Sequence, residues 1–344
     1  MELGISTFGE VHPDGKSGNA INANVRVQQL LEEVKLADEI GLDVFAFGEH
    51  HREDFVISAP EIFMSAAAAI TKNIKLSSSV TVLSSADPVR TFQNFATVDL
   101  ISNGRAEIIA GRGSFTESFP LFGYNLNDYN GLFAEKLALL MEINANEKVS
   151  WTGKHRASLL NSGVYPRPIQ EKLPIWLGVG GTPASAVRAG NLGLPMIIAI
   201  LGSPPEQFVP FVQLYKDSAV KAGFDLNTLQ LGISSQFFVA EDSNQAANLF
   251  YPSYEALMNR VGRDRGWSPM SKTQFEYLRN DGPLVVGNVQ QVVDKILAQH
   301  ELFQNTRFLA QLVTGFTPHL EVLKTIELYG TKVAPAVRKA LQQE

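Results

Sequence analysis

Eight short apolar runs, separated by amphipathic stretches that suit helices, limit the folds open to this chain. The runs have the length and aliphatic content of buried strands and lie at residues 3–8, 43–47, 74–83, 105–111, 174–179, 195–201, 229–239 and 307–313. Strands that alternate with helices form parallel sheets, because each helix returns the chain to the start of the next strand. An open doubly wound sheet is the rival, but closure is more economical for eight such units. We therefore predict one (β/α)8 TIM-barrel domain over residues 1–344, with insertions at the C-terminal ends of the strands.

The predicted helices carry a recurrent start signal. Five of them open with Ser, Thr or Asp followed within two residues by a proline, at Pro60, Pro88, Pro183, Pro204 and Pro318. This pairing caps the free N–H groups of a first helical turn. A polar stretch at residues 262–282 interrupts the alternation of strands and helices. Loops that long often act as lids, so we predict a mobile excursion that covers the site.

Composition excludes several classes of function. The formal charge of −6 and pI near 5.6 do not suit nucleic acid binding, which needs a concentrated basic face. The absence of cysteine excludes disulfides, thiolate metal sites and a cysteine nucleophile. The N-terminal residues lack the pattern of a signal peptide, and every apolar run is shorter than the roughly 18 residues that span a membrane. We therefore expect a cytoplasmic protein.

Three titratable residues, Glu49, His50 and His51, follow the second predicted strand. Adjacent residues of a strand point to opposite faces, so the two histidine side chains should point in different directions and should not bind the same metal ion. The remaining histidines are scattered, and only His12 lies near a predicted strand end. A metal site and a purely structural role are the alternatives to catalysis at this position. We predict no metal and assign catalysis to His50, because imidazole can exchange protons near neutral pH.

A glycine-rich turn before a predicted helix suggests an anion site. Gly180, Gly181 and Thr182 offer free N–H groups and a hydroxyl at a helix N-terminus, where anions bind. Arg112 lies between two glycines at another strand end, where a ligand can approach the backbone closely. A dinucleotide fingerprint fails, because its third glycine would fall at Pro183. One phosphate fits better, so FMN and a sugar phosphate both remain open at this point.

Nearly the whole chain resembles the bacterial luciferase-like flavin-dependent monooxygenases, which are FMN-linked (β/α)8 barrels. The segments that carry the resemblance lie at residues 48–51 (Gly-Glu-His-His), 86–90 (Ala-Asp-Pro-Val-Arg), 104–113, 165–170 (Tyr-Pro-Arg-Pro-Ile-Gln) and 193–197 (Gly-Leu-Pro-Met-Ile). Each segment alone is weak evidence, whereas the ordered set is specific. The implied function is that of an oxidoreductase that uses reduced FMN and O2 on a small organic substrate.

The resemblance also implies roles for individual residues. His50 corresponds to the catalytic histidine that acts beside the reduced flavin. Two residues, Ser79 and Val80, correspond to a strand bulge with a non-proline cis peptide beneath the isoalloxazine ring. The implied phosphate ligands come from two loops and a helix start: Arg112, Ser114, Gly181, Thr182 and Ser185.

The chain departs from light-emitting luciferase at two positions. Luciferase has a reactive cysteine where this chain has Gly111 and a glutamate where it has Gly181. Light emission and an aldehyde substrate therefore do not follow from the resemblance. No nicotinamide site is readable, so we expect a separate flavin reductase to supply reduced FMN. An F420-dependent oxidoreductase and a non-catalytic flavin-binding protein are the alternatives, and retention of His50 favours catalysis.

The second predicted helix suggests self-association. Residues 65–69 read Ser-Ala-Ala-Ala-Ala, and small side chains let another helix approach closely. A helix that faces water should have a polar outer stripe, yet the outward positions between Ile62 and Ile70 are mostly alanine. A charge introduced at Ala67 or Ala68 would test this surface. The next helix adds Phe92, Phe95 and Leu100. We therefore expect an isologous homodimer through these two helices.

Overall fold

The computed structural model describes residues 1–11, 22–113 and 115–342 of the chain. His12 and Ser114, both considered above, lie outside these residues. The strands are β1 Glu2–Thr7, β2 Val44–Phe47, β3 Lys75–Ser78, β4 Thr81–Val82, β5 Ala106–Gly111, β6 Lys148–Trp151, β7 Leu159–Gly163, β8 Ile175–Val179, β9 Met196–Ile200, β10 Leu231–Val239, β11 Val285–Gly287 and β12 Arg307–Leu312.

The α-helices lie mostly between successive barrel strands. They are α1 Ala23–Glu39, α2 Pro60–Ile70, α3 Pro88–Ser102, α4 Ser118–Leu121, α5 Tyr129–Ala145, α6 Pro183–Asn191, α7 Val209–Lys221, α8 Ser243–Arg265, α9 Lys272–Asn280, α10 Val289–Phe303, α11 His319–Leu328 and α12 Ala334–Leu341. Within the described ranges, no helix is both long and apolar enough to cross a membrane.

The strands form a closed parallel TIM barrel, as the alternation of apolar runs predicted. Its order is β1, β2, β3, β5, β8, β9, β10, β12, with β4 continuing β3 against β5. Parallel pairing of β12 with β1 and of β9 with β10 completes the ring. All eight predicted runs are barrel strands, although residues 74–83 are divided into β3 and β4 around Ser79 and Val80.

The helix starts agree in part with the proline signal. Pro60, Pro88 and Pro183 are the first residues of α2, α3 and α6. At the other two sites, Pro204 and Pro318 precede the helix instead of opening it. Asp87 shows the capping chemistry directly, because its side chain accepts a hydrogen bond of 3.0 Å from the backbone N–H of Arg90.

The polar stretch at residues 262–282 is largely helical rather than a loop. It contains the end of α8 and all of α9, and it leads into β11, which pairs with β10 outside the ring. An apolar cluster that includes Phe250, Tyr254 and Phe275 packs these elements together. The insertion therefore has a core of its own above the C-terminal ends of the strands.

A buried ionic network closes the N-terminal end of the barrel. Arg307, which is 1% exposed, donates to both carboxylate oxygens of Glu107 at 2.7 and 3.1 Å. Its guanidinium also binds Glu2 and lies 4.2 Å from the centre of the Trp176 ring. The paired charges offset the cost of their burial. An apolar interior layer that includes Val44 and Leu309 follows, so open space remains only at the C-terminal end.

Candidate functional site

A cavity of about 800 Å³ lies at the C-terminal ends of the barrel strands. It brings together most residues that the sequence singled out: His50, Ser79, Val80, Arg112, Gly181 and Thr182. Ser185 is not among its lining residues and is 4% exposed. This is the end of a TIM barrel where strand-end residues can converge on one ligand.

The His50 imidazole lies in an aromatic cage. Its ring centre is 4.5 Å from that of Phe8, 4.4 Å from Phe55 and 4.7 Å from Phe115. Its Nε2 is buried and has no hydrogen-bond partner in the described part of the chain. Burial, reinforced by the positive charge of Arg52, lowers the pKa of His50 to about 3. The side chain is therefore neutral at pH 7, in contrast to the near-neutral titration expected from an isolated imidazole.

The Glu49 side chain is hydrogen-bonded to His51 and to the backbone. His51 Nε2 lies 2.7 Å from one carboxylate oxygen of Glu49, and the other oxygen accepts a 2.7 Å hydrogen bond from the Val82 N–H. Both carboxylate oxygens are thus occupied, and they tie the end of β2 to β4. His50 and His51 have different partners, but both line the cavity and both lie beyond the end of β2.

The peptide bond between Ser79 and Val80 is cis, which confirms the expectation for this position. The strand ladder is interrupted here, and Ser78 replaces part of it. Its hydroxyl oxygen accepts hydrogen bonds from Ile109 N–H at 3.1 Å and from the Thr81 hydroxyl at 2.9 Å. The interruption exposes the Val80 side chain to the cavity as part of its floor.

Two glycines make room for Val80. A Cβ at Gly111 would lie 2.4 Å from Val80 Cγ2, and one at Gly178 would lie 2.8 Å from Val80 Cγ1. Neither distance is possible without movement of the strand or the valine. Gly111, one of the positions that distinguish this chain from light-emitting luciferase, is therefore required by the Val80 side chain on the cavity floor.

Positive charge and free N–H groups meet on the opposite wall from β1. Arg112 donates to the Asn130 side chain at 3.1 Å and lies 5.3 Å from the Tyr129 ring centre. Burial and the nearby charge of Arg112 lower the pKa of Arg188, on α6. The described residues place no carboxylate in an ion pair with either arginine. Arg188 is not among the residues that line the cavity, and its guanidinium lies 5.3 Å from the centre of the Phe133 ring.

The start of α6 is open toward the cavity. Thr182 is the N-cap residue, but its hydroxyl makes no capping hydrogen bond. A Cβ at Gly180 or Gly181 would meet nothing within 4 Å. The backbone N–H of Ser185 is already bonded to the Thr182 carbonyl at 2.9 Å. Gly181 and Thr182 can therefore receive an anion, whereas the buried Ser185 supports the helix start.

The insertion supplies the apolar outer wall of the cavity. Its contributing side chains are Leu257, Met258, Val261, Trp267 and Met270. An ion pair between Arg260 of α8 and the buried Asp54 of the loop after β2 connects this wall to the barrel. The spacing of residues 257, 258 and 261 is that of a helix face, a signal that sequence analysis passed over.

Comparison with known proteins identifies a family for this chain. A family model described as luciferase-like monooxygenase matches residues 1–306. The monooxygenase RslO1 from Streptomyces bottropensis superposes with a TM-score of 0.84 and 25% identity, covering 97% of this chain and 99% of that one.

Two further solved structures share the fold at lower identity. The oxygenating constituent of 3,6-diketocamphane monooxygenase from Pseudomonas putida, solved with FMN, has a TM-score of 0.80 and 21% identity and covers 98% of each chain. The coenzyme F420-dependent tetrahydromethanopterin reductase from Methanopyrus kandleri has a TM-score of 0.73 and 21% identity, over 97% and 99% of the two chains. The fold alone thus accommodates both flavin-type cofactors.

The close approach of Val80 to Gly111 leads to a stability prediction. Gly111→Ala should lower the free energy of unfolding by about 1–3 kcal/mol, the usual effect of overpacking. Gly180→Ala is the matched control, because its new methyl group would enter open space. Denaturant titration of both variants measures the difference. Val80→Ala should restore only part of the loss in Gly111→Ala, because the Val80 Cβ would still lie 2.8 Å from the new methyl group. Equal stability of the two glycine variants would contradict the packing argument.

Proposed function

Since the chain belongs to the luciferase-like monooxygenase family, we propose that it is an FMN-dependent monooxygenase that oxidises a small organic substrate with reduced FMN and O2. The observation that carries this proposal is one continuous cavity. It joins a cationic, N–H-rich anion site at Arg112 and Thr182 to the caged His50, across the floor formed by Val80. A phosphate-bearing planar ring system matches that arrangement.

The phosphate of FMN would be held at the start of α6. The Arg112 guanidinium, the unused Thr182 hydroxyl and the open backbone at Gly181 supply hydrogen-bond donors of the kind that bind phosphate. Arg188 adds a second positive charge nearby. Ser185 lies below this surface, and its part is to hold the first turn of the helix.

The ring system would lie over Val80. Ser79 and Val80 form a floor that leaves one face of the ring accessible from the β1, β10 and β12 side of the barrel. Reduced FMN, when bound, supplies the electrons and activates O2. The apolar wall from α8 and α9 would exclude water from that space and favour an organic substrate over a highly charged one.

His50 would act as a neutral group. Its depressed pKa keeps the imidazole uncharged, and its unpartnered Nε2 has one hydrogen bond to offer or accept. The aromatic cage fixes the ring plane, so that hydrogen bond would have a defined direction. The role we propose is positioning and hydrogen bonding at the reacting end of the cavity.

Charge favours FMN over coenzyme F420. The phosphate of FMN is a monoester with up to two negative charges, whereas that of F420 is a diester with one. Arg112 at the cavity wall and the open start of α6 suit the monoester better. F420-dependent oxidation and non-catalytic flavin binding are the competing functions. Oxygen consumption with reduced FMN, measured against reduced F420 and over a panel of substrates, distinguishes all three.

A flavin reductase is the proposed source of reduced FMN. The glycine turn at Gly180 and Gly181 continues into Pro183, which does not fit the dinucleotide fingerprint. A separate protein would then use the nicotinamide cofactor and pass on the reduced flavin.

The surface of α2 and α3 supports a homodimer, although through different residues from those expected. Ala67 is fully buried and Ala68 is 5% exposed, so both pack against the barrel. Phe92 and Phe95 are buried too. The outward apolar side chains are instead Ile62, Ile70, Leu100 and Ile101, each between 43% and 67% exposed. A second copy of the chain is the partner we propose for this face.

The anion site predicts selective loss of phosphate binding. A charge-assisted hydrogen bond contributes roughly 1.5–3 kcal/mol, so Arg112→Ala should weaken FMN about 10- to 150-fold. Riboflavin, which lacks the phosphate, should be affected much less. Flavin fluorescence titration gives both dissociation constants, with the exposed Arg90→Ala as control. Equal loss for FMN and riboflavin would remove Arg112 from the phosphate site.

His50 should affect turnover more than binding. His50→Ala is expected to leave FMN affinity nearly unchanged and to lower turnover by about 10²-fold, the scale of a general acid–base or hydrogen-bonding catalyst. Because the pKa of His50 is about 3, its titration should not affect the wild-type rate near pH 6.5. The pH–rate profiles of the wild type and of this variant should therefore have the same shape in that range. Steady-state oxygen consumption measures both effects. Unchanged turnover would make His50 structural and turn attention to Glu49 and His51.

The proposed dimer is tested at exposed positions of α2 and α3. Ala66→Arg combined with Leu100→Arg places two charges on the exposed face of α2 and α3. This variant should sediment near the 37.7 kDa of one chain, and the wild type at twice that mass. Val220→Arg, at a 56% exposed apolar position on α7, is the control. A monomeric wild type would refute the dimer.

A further inference from the structure

A buried polar row crosses three neighbouring strands on one side of the cavity. Ser6 of β1 pairs in register with Gln311 of β12, which pairs with Gln236 of β10. Ser6 is 3% exposed, and each glutamine is 4% exposed. All three line the cavity. In-register residues of a parallel sheet share one height and one face, so the three polar groups form a single patch.

The two carboxamides of this polar row lack partners. In the described part of the chain, neither the Gln236 nor the Gln311 side chain makes a hydrogen bond. Another buried glutamine shows the contrast, because the Oε1 of Gln299 accepts a 3.2 Å hydrogen bond from Ser235. The polar atoms of both carboxamides are accessible from the cavity instead of being fully buried, so they are available to a ligand.

The polar row lies across the barrel from the proposed flavin site. In the order of the ring, β10, β12 and β1 stand opposite β3, β5 and β8. The latter strands carry or precede Val80, Arg112 and Gly180. Phe8 continues the same side of β1 and packs 4.5 Å from the His50 ring centre. A molecule held by the polar row would thus lie across the cavity from a ring placed over Val80, on the side where Phe8 contacts His50.

The polar row is uncharged, which defines what it can recognise. Arg112 is at the far side, and the Glu49 carboxylate is already occupied by His51 and the Val82 N–H. Glu117, which also lines the cavity, lies 3.8 Å from Arg52. The polar row itself offers amide N–H and hydroxyl donors, and a carbonyl oxygen can accept from both. The opposite boundary is the apolar wall that includes Leu257, Met258 and Val261.

We propose that Ser6, Gln311 and Gln236 bind a carbonyl oxygen of the substrate, and that the substrate is a neutral, largely apolar carbonyl compound. This rests on the proposed function for the identity of the reaction, but not for the binding itself. The three side chains are specificity-determining residues that orient the carbonyl end toward His50 and leave the hydrocarbon part against α8 and α9.

The test uses a matched pair of probes. α-Tetralone and its exocyclic-methylene analogue have nearly the same shape and differ in the carbonyl oxygen. Calorimetric titration into the wild-type protein, with and without FMN, should show about 5-fold or tighter binding of the ketone, the effect of one net hydrogen bond. The double variant Gln236→Leu/Gln311→Leu should bring the two affinities together. Gln274→Leu is the control, because this exposed glutamine lines the same cavity from α9.

The outcomes separate this proposal from its premise. Retained preference for the ketone in the double variant, or an equal loss in Gln274→Leu, would overturn the polar row as a carbonyl site. A parallel loss of FMN affinity in the double variant would assign the glutamines to the flavin and overturn it also. Ser6→Ala is the mildest change and should reduce the preference for the ketone in part. It provides a second test if the double variant does not fold. Ketone selectivity in a protein that fails to bind FMN would support the polar row and refute the proposed function.

Discussion

The close packing of Val80 against Gly111 and Gly178 is the constraint on which the functional half of the barrel depends. Val80 can stand at the centre of the C-terminal opening only because positions 111 and 178 lack a Cβ. Its position separates the apolar interior layer from the open cavity. The hydroxyl of Ser78 compensates the interrupted ladder by bonding Ile109 and Thr81. One side chain therefore determines where the packed core ends and where a ligand can begin.

Arg307 at one end of the barrel and Arg112 and Arg188 at the other differ in their pairing with carboxylates. At the N-terminal end, Arg307 is almost fully buried and is neutralised by Glu107 and Glu2. At the C-terminal end, Arg112 and Arg188 lie near each other without a carboxylate partner among the described residues. Buried cations that serve stability are paired, because an unpaired charge in a low-dielectric interior is costly. Arg112 lines the cavity near the start of α6, where the helix dipole adds to the positive field.

Aromatic packing changes the chemistry available to His50. The same residue in water would titrate close to neutral pH. Enclosure by Phe8, Phe55 and Phe115 removes the solvent that stabilises the imidazolium, and Arg52 disfavours it further. What remains is a neutral imidazole whose ring is held between Phe8, Phe55 and Phe115. A role in directing a substrate oxygen suits that state better than repeated protonation from solvent.

The amino-acid sequence by itself determined the parts of this protein that depend on local chemistry. Apolar runs predicted the eight barrel strands, Asp87 and Pro88 predicted a capped helix, and the neighbours Glu49, His50 and His51 predicted divergent roles at a strand end. These features depend on residues a few positions apart, where periodicity and capping act. The tertiary structure decided the rest. It showed that Ala67 and Ala68 face inward, that Arg188 joins Arg112, and that Ser6, Gln311 and Gln236 form one row. Those relations join residues more than seventy positions apart, and they depend on strand register and on closure of the barrel, for which no local pattern carries a signal.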